Sequence, residues 1–330
     1  MNPSIKYMLR SFGKALTLII ALSIITFALA EVSPIDPVKA YIGADESTVS
    51  DEQLDHIREK WGLNDPPVER YFKWSSSMLR GEMGNSQTFG RPVSSIIATS
   101  VANSFMLMLT SWMLSGILGF LLGILAAAYR DSILDRGIRT FCYILSSTPT
   151  FWVGILLLLF FSVKLKIFPI GLSSPIGKTA DQVTFFDRLY HLVLPALTLS
   201  IIGVSNIALH TREKMIDVWN SDYALFAKAR GESRFSIIKN HGIRNILLPA
   251  VTLQFASISE LFGGSVLAEN VFSYAGLGSV TVTAGTQGDL PLLLGITMVT
   301  GSIVFIGNMI ANLLYPVIDP RIKEAKHVEE

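Results

Sequence analysis

Long apolar runs constrain what this chain can fold into more than any other feature of its sequence. A helix that crosses the hydrocarbon core of a bilayer needs roughly 20 mostly apolar residues. Because only 16% of the 330 residues are charged, the chain has too little charge to cover a soluble domain of this length. The sequence therefore predicts an all-α polytopic membrane protein. Six transmembrane helices are predicted, at Phe12–Ala30, Ser104–Tyr129, Thr140–Val163, His191–Leu209, Ile246–Ala268 and Leu290–Val317.

The distribution of Lys and Arg predicts the orientation of these helices, because cytoplasmic loops carry an excess of both residues. Basic residues are concentrated in the N-terminus, the loop after the second helix, the segment Ser221–Pro249 and the C-terminal tail. Six spans place these four segments on one side, so both termini are predicted to be cytoplasmic. The opposite side then holds the acidic segment Glu31–Ile97 and the loops Lys164–Tyr190 and Glu269–Asp289.

The first apolar run admits two interpretations. The basic residues before it and Ala28-Leu29-Ala30 at its end resemble a secretory signal with a cleavage site. An uncleaved helix is favoured, because the run begins as early as Phe12 and its roughly 19 residues suffice to span a bilayer. Cleavage would leave the orientation of the other five spans unchanged.

Small residues and prolines inside the runs predict how the helices pack and where they break. Gly119 and Gly123 lie one turn apart and would let another helix approach closely. Pro149 and Pro195 interrupt the third and fourth predicted helices, which membrane helices tolerate when neighbouring groups satisfy the freed carbonyls.

The segment after the first helix has the pattern of a small domain. The stretch SDEQLDHIREKWGL has helical periodicity, with Ser50 as a plausible N-cap and acidic residues in the first turn. An aromatic group in this segment supplies either a small core that packs on the helices or a surface that receives another protein. Both interpretations stay open. The group consists of Trp61, Tyr71, Phe72 and Trp74.

A basic, polar segment separates the fourth and fifth predicted helices, and we call residues 221–249 the polar loop. Its sequence predicts a short helix at Asp222–Ala229, a glycine at the C′ position at Gly231 and a second helix at Arg234–Lys239. Such a loop either lies on lipid headgroups or docks another protein, and the glycine break favours docking. An apolar face of the loop is predicted at Phe226, Phe235 and Ile238.

Polar side chains are few inside the predicted helices. Glu260 is the most informative, since a carboxylate near the middle of a span usually faces a bundle interior or a wet cavity. It is either a pathway acid that contacts substrate or a protonated or hydrogen-bonded structural group, and the structural role is favoured. His210 is predicted to be interfacial. The candidate translocation-pathway residues are Glu260, Asn206, Gln254 and Asn308.

Several classes of function find no support in the sequence. A net charge of +1 argues against a nucleic-acid partner. Cys142 is the single cysteine and the histidines lack ligand spacing, so no disulfide framework and no metal site are predicted. The stretch Gly171–Thr179 resembles a phosphate loop, but five residues separate its glycines and it lies in a predicted outside loop. Because hydrolase motifs are missing as well, the chain is predicted not to be an enzyme.

Ordered motifs along essentially the whole chain resemble the permease subunits of the ABC importers for dipeptides, oligopeptides and nickel. Each motif is weak alone, but their order and spacing together are highly specific. The motifs are Pro34–Pro37, Gly62–Pro66, Gly81–Ser86, Ser147–Trp152, His191–Pro195, Glu269–Ser273, Gly276–Gly278 and Asp319–Arg321. Within the polar loop, the family's ATPase coupling loop is matched at Asp222, Tyr223, Ala227, Ala229, Gly231, His241, Arg244, Asn245 and Pro249.

The resemblance implies the ABC importer type I permease fold, with a small extracytoplasmic domain, in a bacterial or archaeal plasma membrane. The implied partners are a second homologous permease subunit, two ABC ATPase subunits and an extracytoplasmic solute-binding protein, all associated with the lipid bilayer. ATP and Mg would be bound by the ATPase subunits, so this subunit would hold no cofactor. The domains would be 1–31 (cytoplasmic N-terminus and first helix), 32–97 (extracytoplasmic), 98–317 (five-helix core with the coupling loop 213–245) and 318–330 (cytoplasmic tail).

The chain departs from the family pattern at three places. Leu225-Phe226-Ala227 stands where the general ABC-permease loop begins Glu-Ala-Ala, so no carboxylate contact is assigned there. Ala275 stands where the family usually has Pro, and Asn312 stands where an Asp is common. These departures leave the class intact.

The function that the resemblance implies is ATP-driven import of di- or oligopeptides delivered by an external solute-binding protein. Nickel or a metallophore complex is the alternative within the family, although a His/Cys/Met cluster for a bare metal is missing. An ion-gradient-driven secondary transporter is a rival of another class, and it should show inverted repeats and a chain of buried ionisable groups. A membrane-anchored assembly or signalling subunit is the third possibility.

Overall fold

A computed structural model describes residues 3–32, 38, 50–60, 64–179 and 182–318. Regular structure among these residues is helical, apart from one isolated bridge between Asn85 and Pro92. This confirms the predicted all-α class. The chain forms two compact units, which we describe separately: unit 1 comprises residues 1–102 and 279–310, and unit 2 comprises residues 103–278 and 311–330.

The helices are numbered in chain order. Two of them are continued by a π-helical stretch, α6 by Leu158–Lys164 and α9 by Ile238–Gly242. The bounds are α1 Pro3–Val32, α2 Asp51–Lys60, α3 Pro67–Leu79, α4 Val93–Ala128, α5 Ile133–Ser147, α6 Thr150–Leu157, α7 Phe185–Trp219, α8 Asp222–Ala229, α9 Arg234–Ile237, α10 Ile243–Ala256, α11 Ile258–Val271, α12 Leu277–Gln287 and α13 Leu290–Ile318.

In unit 1, the helix predicted after the first span is present as α2. Its N-cap is Ser50, whose hydroxyl accepts a hydrogen bond from the Gln53 N–H at 3.3 Å. In return, the Ser50 N–H donates to the Gln53 side-chain oxygen at 3.1 Å. This reciprocal pair satisfies two backbone groups that a helix start would otherwise leave without partners, and it confirms the predicted cap.

The aromatic group of the predicted outside segment packs partly on α1. Tyr71 and Trp74 on α3 have ring centroids 5.5 and 5.6 Å from Phe27 on α1, and Tyr71 shares a 2.8 Å hydrogen bond with Ser23. Phe72, by contrast, is 63% exposed. Tyr71 and Trp74 therefore form a small core with α1, while Phe72 packs its ring edge on Tyr71, 5.6 Å between centroids, and leaves most of its surface exposed. Trp61, its fourth predicted member, lies outside the described residues.

Unit 2 is built around α7, which buries residues along most of its length. The predicted glycine pair accounts for its close approach to α4. A Cβ at Gly119 would stand 2.8 Å from the Ile207 Cβ, and one at Gly123 would stand 2.6 Å from the Ala208 carbonyl oxygen. Real Cβ atoms do not pack so closely, so glycine at both positions lets the two helix backbones meet. The predicted packing role is confirmed.

The number of helices long and apolar enough to cross a membrane differs from the six predicted. Among the described residues, four satisfy length and composition: Phe12–Val32, Val93–Ala128, Phe185–Trp219 and Leu290–Gly307. A fifth is reached if Ile133–Ser147 and Thr150–Lys164, which are bent by 110° around Pro149, count as one span. Pro195, in contrast, lies inside the continuous helix α7 and does not break it.

The fifth predicted span, Ile246–Ala268, is divided between α10 and α11, each of 14 residues. At the division, one backbone carbonyl accepts hydrogen bonds from side chains. The Gln254 carbonyl accepts from the Trp112 indole N–H at 2.9 Å and from the Ser257 hydroxyl at 2.9 Å. Two side chains thus donate to a carbonyl in the last turn of α10. Neither helix alone reaches the length of a span.

Candidate functional site

The polar loop begins as its sequence predicts. Its first helix, α8, has the predicted bounds Asp222–Ala229, and the chain then reverses at Gly231, whose φ is +80°. Only glycine adopts this left-handed conformation without a steric penalty. The Glu232 N–H donates back to the Ala227 carbonyl at 3.1 Å, which satisfies one of the last carbonyls of the helix.

The second half of the polar loop differs from the prediction. A helix begins at Arg234 as expected, with Ser233 as its N-cap, because the Ser233 hydroxyl accepts from the Ser236 N–H at 3.2 Å. The helix does not stop at Lys239, however. It continues through the π-helical stretch Ile238–Gly242 into α10, so the end of the polar loop is the beginning of the next long helix.

The underside of the polar loop is apolar and buried. Ala224 and Ala227 on α8 and Ile237 on α9 are at most 3% exposed. Alanines let α8 lie close to the end of α7, and Gly242 leaves room for the Met215 thioether, whose Cε would stand 2.6 Å from a Cβ there. The buried cluster comprises Ala127, Met215, Val218, Trp219, Ala224, Ala227, Ile237 and Ile246.

Of the three residues predicted to form the apolar face of the loop, Ile238 packs against this buried cluster, whereas the two phenylalanines point away from it. Phe226 is 65% exposed and Phe235 is 74% exposed, while Ile238 is half-buried. The guanidinium of Arg230 lies 5.9 Å from the centre of the Phe226 ring. Small residues of the polar loop therefore pack against the rest of unit 2. Its large aromatic residues lie on the outer surface, beside a cation.

Two cations fix the polar loop to the ends of long helices. Lys228 donates to the Trp219 carbonyl at 3.2 Å, and its ammonium lies 4.7 Å from the centre of a Trp219 ring. Arg234 donates to the Ala128 carbonyl and lies 5.7 Å from the Tyr129 ring centre. These contacts satisfy carbonyls at the C-termini of α7 and α4, where cations are also favoured by the helix dipole.

Of the eight predicted coupling residues, the structure brings three together. The rings of Tyr223 and His241 lie 6.2 Å apart, and Asn245 donates to the His241 carbonyl at 2.7 Å. His241 Nε2 is also 3.7 Å from a Glu232 carboxylate oxygen. Ala227 belongs to the buried cluster instead. The others, Asp222, Ala229, Gly231 and Arg244, are exposed.

The predicted pathway residues do not form one group in the part of the chain that the structure describes. Gln254 is only 7% exposed, and it donates to the Trp112 carbonyl at 2.5 Å and to the Ser115 hydroxyl at 3.2 Å, which joins α10 to α4. Asn206 is exposed on α7. The side chains of Glu260 and Asn308 lie outside the described residues.

Three acidic side chains are fully buried, and no role was predicted for any of them from the sequence, although Glu269 opens one of the family motifs. In unit 2, Asp135 forms an ion pair with Arg212, at 2.6 and 2.7 Å, and Glu269 accepts from the Ser104 hydroxyl at 2.6 Å. In unit 1, Asp289 accepts from the Ser86 hydroxyl at 2.5 Å. Charged residues are rarely fully buried unless they are paired, so each buried acid indicates a position where the fold provides specific partners for a carboxylate.

Glu269 explains the Gly276-Leu277-Gly278 motif. One carboxylate oxygen accepts from the Gly278 N–H at 2.7 Å, and the Ser104 hydroxyl that donates to Glu269 itself accepts from the Leu277 N–H at 2.7 Å. A Cβ at Gly276 would overlap the Glu269 carboxyl group. The motif thus lets a buried acid cap the start of α12, and an acid placed shortly before a Gly-x-Gly is the signal that could have revealed it.

Tyr274 lies in the turn between α11 and α12 and is 3% exposed. Its burial, and secondly the negative charge of Glu269, raise the pKa of Tyr274 to about 12. The phenol therefore stays protonated at physiological pH. Its hydroxyl is 3.5 Å from the Asn103 carbonyl, while the Asn103 side chain donates to the Ala275 carbonyl at 2.7 Å.

Comparisons with known proteins cover nearly the whole chain. Residues 119–324 match the family described as binding-protein-dependent transport system inner membrane component, and residues 4–109 match the N-terminal family of the same membrane components. The chain is 33% identical over 318 residues to the oligopeptide transport system permease protein AppB of Bacillus subtilis, which covers 96% of this chain and 99% of that protein.

Two further relatives have similar coverage. A putative peptide permease protein of Brucella suis is 34% identical over 321 residues, which is 97% of this chain and 99% of the relative. A probable peptide ABC transporter permease protein of Sinorhizobium fredii is 31% identical over 317 residues, covering 96% of this chain and 99% of the relative. The likeness therefore extends across both compact units.

Proposed function

This chain belongs to the family of binding-protein-dependent transport system inner membrane components, and we propose that it is the transmembrane permease subunit of an ATP-driven peptide importer. The observation that carries the proposal is the full-length likeness to permeases named for peptides and oligopeptides, at 31–34% identity. These names favour peptides over nickel or metallophores as the substrate.

The polar loop is proposed as the docking surface for the ATPase subunits. Its underside is occupied by its own core, while Phe226 and Phe235 are 65% and 74% exposed next to basic residues. Exposed aromatic residues flanked by Arg are characteristic of protein interfaces. A lipid-headgroup role would not require Gly231 to turn the loop back on itself. The ATPases would bind ATP and Mg, and this subunit would bind neither.

The remaining parts of the assembly are proposed on the same premise. A second homologous permease would complete the translocation pathway, two ATPases would bind from the cytoplasm, and an external solute-binding protein would deliver substrate to the segment 32–97. Six spans with both termini cytoplasmic would result if the bent pair α5–α6 and the divided pair α10–α11 each cross the bilayer once. Asn206, Gln254, Glu260 and Asn308 are proposed to lie on or beside the pathway.

The test replaces the exposed aromatic residues of the polar loop. The variant Phe226→Ala/Phe235→Ala should assemble in the membrane, lose ATPase subunits on purification and lose uptake of labelled short peptides. The matched control is Phe185→Ala/Phe186→Ala, since these residues are 63% and 77% exposed at the start of α7, in the predicted outside loop. The control should keep the ATPases bound.

Three results would overturn parts of the proposal. ATPase binding and uptake that persist in the Phe226/Phe235 variant would show that the loop is not the docking surface. Peptide uptake that runs on an ion gradient without any ATPase would restore the secondary transporter. If a strain lacking this chain lost nickel uptake but kept peptide uptake, the substrate would be nickel or a metallophore complex and not a peptide.

A further inference from the structure

The polar loop contacts the rest of unit 2 at the ends of two long helices. Lys228 holds the Trp219 carbonyl at the end of α7, and Arg234 holds the Ala128 carbonyl at the end of α4. The apolar cluster beneath the loop fills the space between these contacts. Close-packed interiors transmit displacement rather than absorb it, so a force on the loop must move the ends of both helices.

A buried ion pair lies two helical turns before Trp219 on α7. The Arg212 Nε and Nη2 atoms donate to the two carboxylate oxygens of Asp135, at 2.6 and 2.7 Å. The Asp135 side chain is completely buried and that of Arg212 is 13% exposed. Two parallel charge-assisted hydrogen bonds fix orientation as well as distance, so they couple the start of α5 rigidly to α7.

The turn between α4 and α5 closes a ring of contacts. Asp135 also accepts from the Asp131 N–H at 2.9 Å, and the Ser132 hydroxyl caps α5 by accepting from the Asp135 N–H at 3.3 Å. The same turn begins at Tyr129, whose ring faces Arg234 of the polar loop. The contacts therefore form a closed circuit. It runs from the polar loop through the end of α4, the turn, Asp135 and Arg212, and then along α7 back to the polar loop.

We infer that the Asp135–Arg212 ion pair transmits movement of the polar loop to α5, so that α4, α5 and α7 shift together when the ATPases act. This inference rests on the proposed function. Apolar helix contacts alone would let α5 slide over α7, whereas a bidentate ion pair has one favoured geometry. Asp135 and Arg212 are thus positioning residues for transport, and neither needs to contact substrate or ATPase.

The experiment uses the complete importer, with both permeases, both ATPases and the solute-binding protein, in proteoliposomes. The test variant is Asp135→Asn/Arg212→Gln, which keeps a neutral pair and avoids an isolated buried charge. ATPase co-purification should be unchanged, while peptide transported per ATP hydrolysed should fall about tenfold, within the 5–150-fold range of typical coupling between sites. The exchanged variant Asp135→Arg/Arg212→Asp should recover only part of that ratio, because the new guanidinium at position 135 would lie close to Arg139, whose Nε is 3.5 Å from Asp135 in the native pair.

The matched control is Lys214→Ala, which removes an exposed ion pair with Asp217 on the same helix, 3.2 Å long. It should leave the transport ratio unchanged. An unchanged ratio in the neutral-pair variant would overturn the inference, and so would failure of both double variants to assemble, because the pair would then serve folding alone. A wild-type importer that does not bind ATPases would instead refute the proposed function, which separates the two failures.

Discussion

Asp135 and Glu269 are both fully buried in unit 2, but the structure satisfies their charges in different ways. Asp135 faces a guanidinium, with both oxygens accepting from Arg212. Glu269 accepts hydrogen bonds from two uncharged donors, the Ser104 hydroxyl and the Gly278 N–H, at 2.6 and 2.7 Å. The first arrangement links two helices through opposite charges, whereas the second caps the start of a helix with an acid.

The difference predicts how each site responds when one partner is lost. Removing one member of a buried ion pair leaves an uncompensated charge in a region that cannot hydrate it. Where uncharged donors bind an acid, its replacement by the amide turns one of those hydrogen bonds into a contact between two donors. A substitution that disrupts the Asp135 site should therefore lower the free energy of unfolding more than one that disrupts the Glu269 site.

The largest effect is expected for Arg212→Ala. Asp135 would lose both hydrogen bonds of its bidentate pair and keep the more distant Arg139, whose Nε lies 3.5 Å from Asp135 Oδ1. The free energy of unfolding should therefore fall by about 3 kcal/mol, the lower end of the loss for a broken buried pair. Denaturant unfolding of the purified chain in lipid–detergent micelles would measure the loss. The exposed pair Lys214–Asp217 provides the scale for comparison, since Lys214→Ala should change stability by about 0–1 kcal/mol. Equal losses in the two variants would contradict the comparison.

A smaller effect is expected for Glu269→Gln. One amide oxygen can still accept, but the NH₂ group would face a donor, so the loss should be about 1–3 kcal/mol. Asp289→Asn in unit 1 should behave alike, since Asp289 also accepts from a hydroxyl and from a backbone N–H, those of Ser86 and Thr88. A loss at Glu269 as large as that of Arg212→Ala would show that its negative charge has a second, ionic role.

Structure that depends on neighbours in sequence was predicted, whereas contacts between distant residues were not. The cap at Ser50, the helix Asp222–Ala229 and the turn at Gly231 depend on neighbours in sequence, and all three agree with the prediction. The three buried acids have partners far along the chain; Asp135 and Arg212 are 77 residues apart. A single sequence carries no sign of these long-range pairings, whereas the contact of Glu269 with Gly278, nine residues on, has its signal in the Gly-x-Gly motif.

The positions of the helix breaks were also predicted only in part. Pro149 bends the chain between α5 and α6, whereas Pro195 lies within a continuous helix. The division at Ser257 has no proline at all, and it coincides with a contact from Trp112 on another helix. Proline marks a position where a break is possible, but the surrounding side chains decide whether it occurs.

Overpacking beneath the polar loop should lower both stability and ATPase binding. Ala227→Trp should push α8 away from α7, because Ala227 is 3% exposed, and overpacking of this kind costs about 1–3 kcal/mol. ATPase co-purification should fall with it. Ala229→Trp, two residues further on at an exposed position, is the matched control for stability and should retain the fold; because Ala229 is itself a predicted coupling residue, its effect on ATPase binding is not part of the control. Gly231→Val should add a separate backbone cost of about 1–2 kcal/mol, because its φ is +80°.

If the Ala227 and Ala229 variants lose ATPase equally while their unfolding remains that of the wild type, the bulky side chains would be obstructing a partner surface directly. The buried underside would then have no special part in docking. Uptake and ATPase binding that survive in both Ala227→Trp and Gly231→Val would show that the loop does not need its folded shape.

The smallest effect at neutral pH is expected for Tyr274→Phe, because the hydrogen bond it removes is long, at 3.5 Å. At high pH the variant should differ more. The folded protein raises the pKa of Tyr274 from 10.0 to about 12, so it holds the phenol proton more tightly than the unfolded chain does. This contribution is fully present below pH 10 and is lost as the pH rises from 10 through 12. Tyr274→Phe should therefore lose less stability than the wild type across that interval.

Tyr274 also reports on the charge of its neighbour. Burial is the larger cause of its raised pKa and the negative charge of Glu269 is the second. Glu269→Gln should consequently lower the pKa of Tyr274, as measured by tyrosinate absorbance in the difference between each protein and its Tyr274→Phe counterpart. An unchanged pKa would mean that Glu269 carries no charge near the phenol. The acid would then be held as a neutral group, and the contrast with Asp135 would be one between a charged and an uncharged site.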